Sequence, residues 1–401
     1  MRILLVHNFY RTELPSGENE AFKTEKKMLK EKGNTIEEYI KYSDEIKNKN
    51  FYGKLKVVTS IAWDHFSYKS ISRLVDSFRP DIVHIHNTFP LISPSIFYAI
   101  RKKAAVVLTL HNYRLFCSNG MLLRSGKICK KCIDEKSVLP AIRYGCYRKS
   151  RIATIPVALK IAIHKKLDTW KNKIDVFISL TEFQKKIMIE CGLPQNKIYT
   201  KPNAASGSNN VIPWKERDNT IIFVGRLSEE KGLVTLLKSW ILWGDEAPVL
   251  NIVGSGELEE SLKKMTQKNS INNVNFLGKL TNKDVEEKIG KAKLTIVPSE
   301  CYESFGKVIV DSFSKGTPVA VSDIGSLPDL VTNNHNGFIF KTGNEHSLFA
   351  EVKEAWIKKD YLEKLSKESK NTFDQFYTLD SNYKKMMSIY KKAIENNKAK
   401  K

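Results

Sequence analysis

"TIIFVGRLSEEKG", residues 220–232, decides how the rest of the chain is read. Its opening is a short run rich in β-branched and aromatic side chains, which predicts a strand. The run stops at Gly225, and Arg226 and Lys231 flank a turn that leads into an apolar helix pattern. A guanidinium offers a planar fork for phosphate oxygens and an ammonium a compact charge, so a basic pair above a strand end suits a diphosphate. The same residues also read as an ordinary helix start, with Ser228 as N-cap and Glu229 and Glu230 in the first turn.

Working outward, the alternation of strand and helix continues. Further strands are expected at 249–255, 274–280, 293–299, 318–323 and 337–340. Upstream, 201–219 is rich in Asn, Ser, Gly and Pro and reads as a linker. Before it the alternation appears again, with strands at 2–8, 81–87, 104–112 and 175–180 and helical patterns at 18–32 and 93–103. Continuous apolar strands with helices between them imply parallel sheets covered on both faces. The expected fold is α/β, with two doubly wound Rossmann-like domains facing a cleft. Residues 1–202 form the first, with a Cys-rich insertion at 117–150, and 203–375 form the second. A last helix, 376–401, packs back on the first domain and ends in a frayed tail.

Bulk properties narrow the function. The chain has 401 residues, enough for two or three cores. No apolar run approaches the roughly 20 residues of a membrane span, and "MRILLVHN" reads as a strand rather than a signal peptide. Lys and Arg number 66 against 44 acids, a net charge of +22. That excess fits phosphorylated small molecules, an anionic membrane or nucleic acid, or only Lys-rich solvated helix faces. No nucleic-acid motif is present, and aromatics are not interleaved with the basic runs.

"PSECYESFGKVIVDSFSKG", residues 298–316, holds two acids with seven residues between them, Glu303 and Asp311. If the stretch between is helical, they share a face. A helix opening near Ser304 would run to about Ser314 and end at Gly316, with Val308, Ile309 and Phe313 toward the sheet. Free N–H groups at 306–308 would meet an anion, and Gly306 would let it approach.

Taken in order, GR-x4-KG, "VGSGE", "LGKL", "PSECYESFGKVIVD" and "GTPVAVSDIGSLPDLV" resemble the retaining glycosyltransferases of family 4, which have the GT-B architecture. "LPSGENEAF" (14–22), "VHIHNTFPLISPS" and "LTLHNYRLFCSNG" resemble a subset of its bacterial members more loosely. The resemblance implies that Arg226 and Lys231 hold a donor diphosphate, together with Gly17 and the backbone of Gly306, Lys307 and Val308. It places Glu303 at the transferred sugar and His111 at the sugar–phosphate bond. Asp311 stands where the family has a second Glu that grips ribose. Val253, Gly254, Lys279 and Leu280 would face the base, and His86 and Asn87 the acceptor. The implied donor is a UDP- or GDP-linked sugar, and the acceptor a glycan or polyprenyl-diphosphate-linked glycan. With fixed cations at the leaving group and no Asp-x-Asp pair, no catalytic metal is expected. An epimerase acting on free donor, and a non-catalytic nucleotide or glycan binder, are the rival readings.

Two further features stand apart. Cys117, Cys129, Cys132 and Cys146 follow the spacing C-x11-C-x2-C-x13-C, which reads either as a structural zinc site or as unligated thiols. Residues 147–173 combine basic residues with Ile155, Leu159, Ile163, Leu167 and Trp170. That pattern fits a helix lying on anionic lipid, at the inner face of the cytoplasmic membrane, or a helix facing a core. The expected location is cytoplasmic, with nucleic acid excluded as a partner.

Overall fold

The computed structural model describes residues 1–10, 16–48, 50–100, 103–205, 207 and 211–399. Leu14 and Pro15 of the glycine loop, residues 206 and 208–210 of the linker and residues 400–401 of the tail lie outside the described residues. Contacts divide the chain into two compact units. Met1–Arg124, Cys129–Asn203 and Asn382–Lys401 form the first, and Ser125–Ile128 and Ala204–Ser381 the second.

Each unit is built on one six-stranded sheet. The first holds β1 (Arg2–Phe9), β2 (Thr35–Tyr42), β3 (Ile82–Asn87), β4 (Ala105–Thr109), β5 (Val176–Ser179) and β6 (Ile198–Thr200), in the order β2-β1-β3-β4-β5-β6. The second holds β7 (Thr220–Val224), β8 (Val249–Val253), β9 (Val274–Gly278), β10 (Leu294–Val297), β11 (Val319–Ser322) and β12 (Gly337–Phe340), in the order β9-β8-β7-β10-β11-β12. All neighbouring pairs in both sheets run parallel. This is the doubly wound arrangement, in which helices cover both faces and the strands are buried. Ile221, Ile222 and Phe223 of β7 are accordingly inaccessible.

Five helices matter below: α1 (Gly17–Glu31), α2 (Arg151–Lys166), α3 (Leu233–Trp243), α4 (Lys307–Ser314) and α5 (Leu379–Lys398). α3 packs Leu236, Leu237 and Trp240 into the second core with Ile221 and Phe223. The residues 382–398 of α5 belong to the first unit. The strand order reverses between β1 and β3 and again between β7 and β10. In open α/β sheets the crevice beyond the strand carboxyl ends at such a reversal is where ligands bind.

Several local expectations change. The helix expected at 93–103 begins only at Ile96, and residues 101–102 lie outside the described residues. The segment 147–173 breaks after Lys166, where Asp168 turns left-handed (φ 47°) and starts a separate short helix, Thr169–Lys173. Trp170 therefore leaves the stripe expected of it and is buried, edge-on to Phe97. α4 opens at Lys307 behind Gly306, so Glu303 sits in the loop before it. The two acids do not share one helix. Val310 joins Ile309 and Phe313 in the buried set, whereas Val308 stays partly exposed.

Candidate functional site

The second unit gathers its polar side chains at the reversal between β7 and β10. The loop 225–232 leaves β7 and the loop 298–306 leaves β10, and backbone bonds join them: Glu300 N–H donates to the Glu230 carbonyl at 2.8 Å. Gly232 is required here. Its φ is +69°, and a Cβ would sit 1.8 Å from the Pro298 carbonyl oxygen. That close approach carries Lys231 onto Glu303, with Lys231 Nζ donating to Glu303 Oε1 at 2.5 Å. Ser299 Oγ donates to the same oxygen at 2.7 Å, and Ser326 Oγ donates to the Glu303 carbonyl at 2.6 Å.

Burial by itself would raise the Glu303 carboxyl. The Lys231 ammonium, the hydrogen bonds and the Arg226 charge outweigh it and hold the carboxyl below its ordinary range. Lys231 is raised in turn, its burial overcome by Glu303. Glu303 is thus an ionised acceptor, not a proton donor. Gly306 is buried, and a Cβ there would meet Ile309 Cδ1 at 2.6 Å, so this glycine serves packing at the helix start.

Asp311 lies on α4 and is bound by Lys307, one turn earlier, at 2.6 Å. Burial pushes its carboxyl up, and Lys307 only partly offsets this. The residues expected at a base, Val253, Gly254, Lys279 and Leu280, end β8 and follow β9. Gly225 N–H donates to the Val253 carbonyl at 3.0 Å, and Gly254 N–H to the Gly278 carbonyl at 2.8 Å. Leu280 packs with Val253. Arg226, Lys231, Glu303 and these four residues therefore line the carboxyl end of one sheet.

The first unit brings a different set together. His86 ends β3 and His111 follows β4, with His86 Nδ1 3.0 Å from His111 Nε2. Glu25 of α1 reaches His86 Nε2 at 3.1 Å and His84 Nδ1 at 3.2 Å through one oxygen, and Lys201 Nζ at 3.0 Å through the other. Asn382 and Tyr390 of α5 close this network, bonded to Lys201 at 3.1 Å and to His84 at 2.8 Å. Burial raises Glu25, but Lys201, His86 and His84 drive it well below the usual carboxylate range. Burial drives His111 and His84 well below the usual imidazole value, so His111 is neutral. Glu25, His84 and His86 present ligand atoms within 4.8 Å of one another, as a metal site does, but the Lys201 ammonium already supplies the cation there.

Asn87 uses its amide on backbone, donating to the Asn8 carbonyl and accepting from Phe89 N–H. Gly17 opens α1 behind the cap Ser16. The residue after it, Glu18, was not singled out by sequence. Its Oε2 accepts from Asn112 Nδ2 at 3.3 Å, beside His111. Burial pushes its carboxyl up to about 8, with Arg114 opposing. Glu25 and Lys201 were also missed. Both sit in ordinary-looking helix and strand-end positions, and nothing local marks them.

The four cysteines line one small cavity with Phe116, Leu122, Ile133 and Ala141. Among the described residues, no three of their sulfurs lie within 4.8 Å of one another. A tetrathiolate zinc needs sulfurs about 3.8 Å apart, given Zn–S bonds of about 2.3 Å. The zinc expectation is not supported.

Comparisons with known proteins identify the family. Residues 52–206 match the family model "Glycosyltransferase Family 4" and residues 208–372 match "Glycosyl transferases group 1". An uncharacterized glycosyltransferase of Methanocaldococcus jannaschii is 26% identical over 65% of each chain. The O-antigen chain mannosyltransferase C of Escherichia coli is 22% identical over 85% of this chain and 83% of its own. Among solved structures, a glycosyltransferase of Rickettsia africae superposes with a TM-score of 0.67 at 18% identity, covering 98% of this chain and 99% of the other. HepE of Anabaena with UDP-glucose gives 0.63 at 15% identity, covering 97% and 98%. With both halves matched and both sheets doubly wound, the chain belongs to the family 4 glycosyltransferases and has their GT-B fold of two Rossmann-like domains.

Proposed function

We propose that this protein is a retaining glycosyltransferase that moves a sugar from a UDP- or GDP-linked donor to a hydroxyl of a glycan or polyprenyl-diphosphate-linked glycan, in bacterial cell-surface polysaccharide synthesis. The observation that carries the reading is the Lys231–Glu303 pair, held with Arg226 at the strand reversal of the second unit. A leaving diphosphate develops negative charge, and fixed cations aimed at it lower the barrier. Lys231, Arg226 and the N-terminus of α4, with the N–H groups of Lys307 and Val308, take that role. Glu303, ionised, accepts hydrogen bonds from sugar hydroxyls, and Asp311 reaches the ribose. The first unit takes the acceptor side, and neutral His111 meets the sugar–phosphate bond as a hydrogen-bonding group without charge. The departing phosphate takes the acceptor's proton.

Two relatives support the donor and pathway: HepE is solved with UDP-glucose, and the Escherichia coli relative is named for O-antigen synthesis. The protein meets a lipid-linked acceptor from the cytoplasmic side. The test is a screen of UDP- and GDP-sugars for thermal stabilisation, then transfer assays on the hits with the product anomer read by NMR. A donor whose anomeric configuration is kept in the product supports the reading. Inversion, or conversion of donor alone into an epimer, overturns it.

A further inference from the structure

α2 is apolar on two faces. One face, Val157, Ala158 and Ile161 with Thr154 and His164, is buried in the first unit. The other carries Ile152, Ile155, Leu159, Ile163 and, just past the helix end, Leu167, spaced three or four residues apart so that they form one line. All five are exposed: Ile152 by 82% and the others by 40–49%. A helix apolar all round is ordinarily buried all round. Here about 22 Å of apolar stripe, at 1.5 Å per residue, has no cover among the described residues. Leu139, 69% exposed, heads the short helix that packs beside α2.

Along the chain from 136 to 167 the charges have one sign, with Glu135 and Asp168 bounding the run. No Asp or Glu occurs between Glu135 and Asp168, whereas Lys136, Arg143, Arg148, Lys149, Arg151, Lys165 and Lys166 do, and all seven are exposed. Arg148, Lys149 and Arg151 stand at one end of the stripe, and Lys165 and Lys166 at the other. A second copy of this chain would bring two such basic rims together on a protein already at +22. A single convex helix face, apolar along its line and basic at both ends, matches a bilayer interface, where the side chains reach the acyl boundary and the cations meet anionic headgroups. We infer that α2 docks this protein on an anionic membrane surface, with Ile152, Ile155, Leu159, Ile163 and Leu167 inserted and the flanking Arg and Lys on lipid phosphates.

The inference deepens the lipid-linked acceptor reading but is tested without donor or acceptor, so the two fail separately. Full-length protein is sedimented with phosphatidylcholine vesicles and with vesicles containing phosphatidylglycerol. The expected result is at least about tenfold stronger partitioning onto the anionic vesicles, lost at high salt. Ile152→Ser with Leu159→Ser lowers that binding about tenfold or more, while circular dichroism and the melting temperature stay as in the parent. Ile357→Ser, an exposed apolar residue of the second unit, changes nothing. Equal binding to neutral vesicles, parent-like binding of the double variant, or a solution dimer that the double variant abolishes overturns the inference.

Discussion

At the scale of single residues, the pairing of carboxylates with lysines sets what each can do. Glu303→Gln keeps the shape and loses the charge that Lys231 and the sugar require. Transfer should fall by about a hundredfold or more, a loss of the size expected when a transition-state contact is removed. Initial rates, with the fold checked by circular dichroism, measure it. Asp311→Ala frees Lys307 and should weaken donor binding more than it slows turnover, which calorimetric titration against kcat separates. Glu18 makes a pH prediction. Its folded-state value, about 8, lies above the unfolded one, so the folded state keeps a proton that the unfolded state releases. The stability it contributes is whole below about pH 4.5 and is lost as pH rises through 8, at up to roughly 1.4 kcal/mol per pH unit. Glu18→Gln should flatten the fall of melting temperature between pH 5 and 8. Glu303 and its Lys231 were legible in sequence because both lie beside strand ends in a recognisable order. Glu18 was not, because its shift comes from burial by the fold, and Arg114 and Asn112, which oppose it, are nearly a hundred residues away.

At the scale of elements, α2 shows where one-dimensional reading divides. Its stripe of Ile155, Leu159 and Ile163 was legible, but whether it met core or solvent was not, since both its faces are apolar. Lys160, on the buried face, lies over the Phe89 ring, as does Arg114. Burial, with Arg114 adding to it, brings its ammonium down to about 7. A buried cation with no acid beside it among the described residues costs stability, so Lys160→Met should stabilise by roughly 1–4 kcal/mol. Urea unfolding at pH 7 checks this, and no gain would mean that Lys160 has an anionic partner. α4 shows a boundary effect. The acids with seven residues between them suggested one helical face, yet the chain turns into the helix only at Gly306, where the backbone packs against Ile309.

At the scale of the whole molecule, each unit repeats one plan, a parallel sheet whose strand order reverses once. The chemistry assigned to the second unit uses fixed cations on a leaving diphosphate, so transfer should be unchanged by a chelator such as EDTA. A loss of rate restored by one divalent metal would contradict that assignment. The alternation of apolar strands and helices, and the order of the glycine and charged motifs at strand ends, were determined by sequence alone, because both are local patterns that no other fold class accommodates. Tertiary structure decided the rest. It joined Glu25, His84, His86, His111 and Lys201 from four separate segments, with α5 closing the set. It also buried Trp170, set Cys117, Cys129, Cys132 and Cys146 around one small cavity with no three of their sulfurs within 4.8 Å of one another, and exposed the stripe on α2. Each of those outcomes depends on which remote side chain arrives beside a group and how much water it removes, and neither quantity is written in the spacing of residues along the chain.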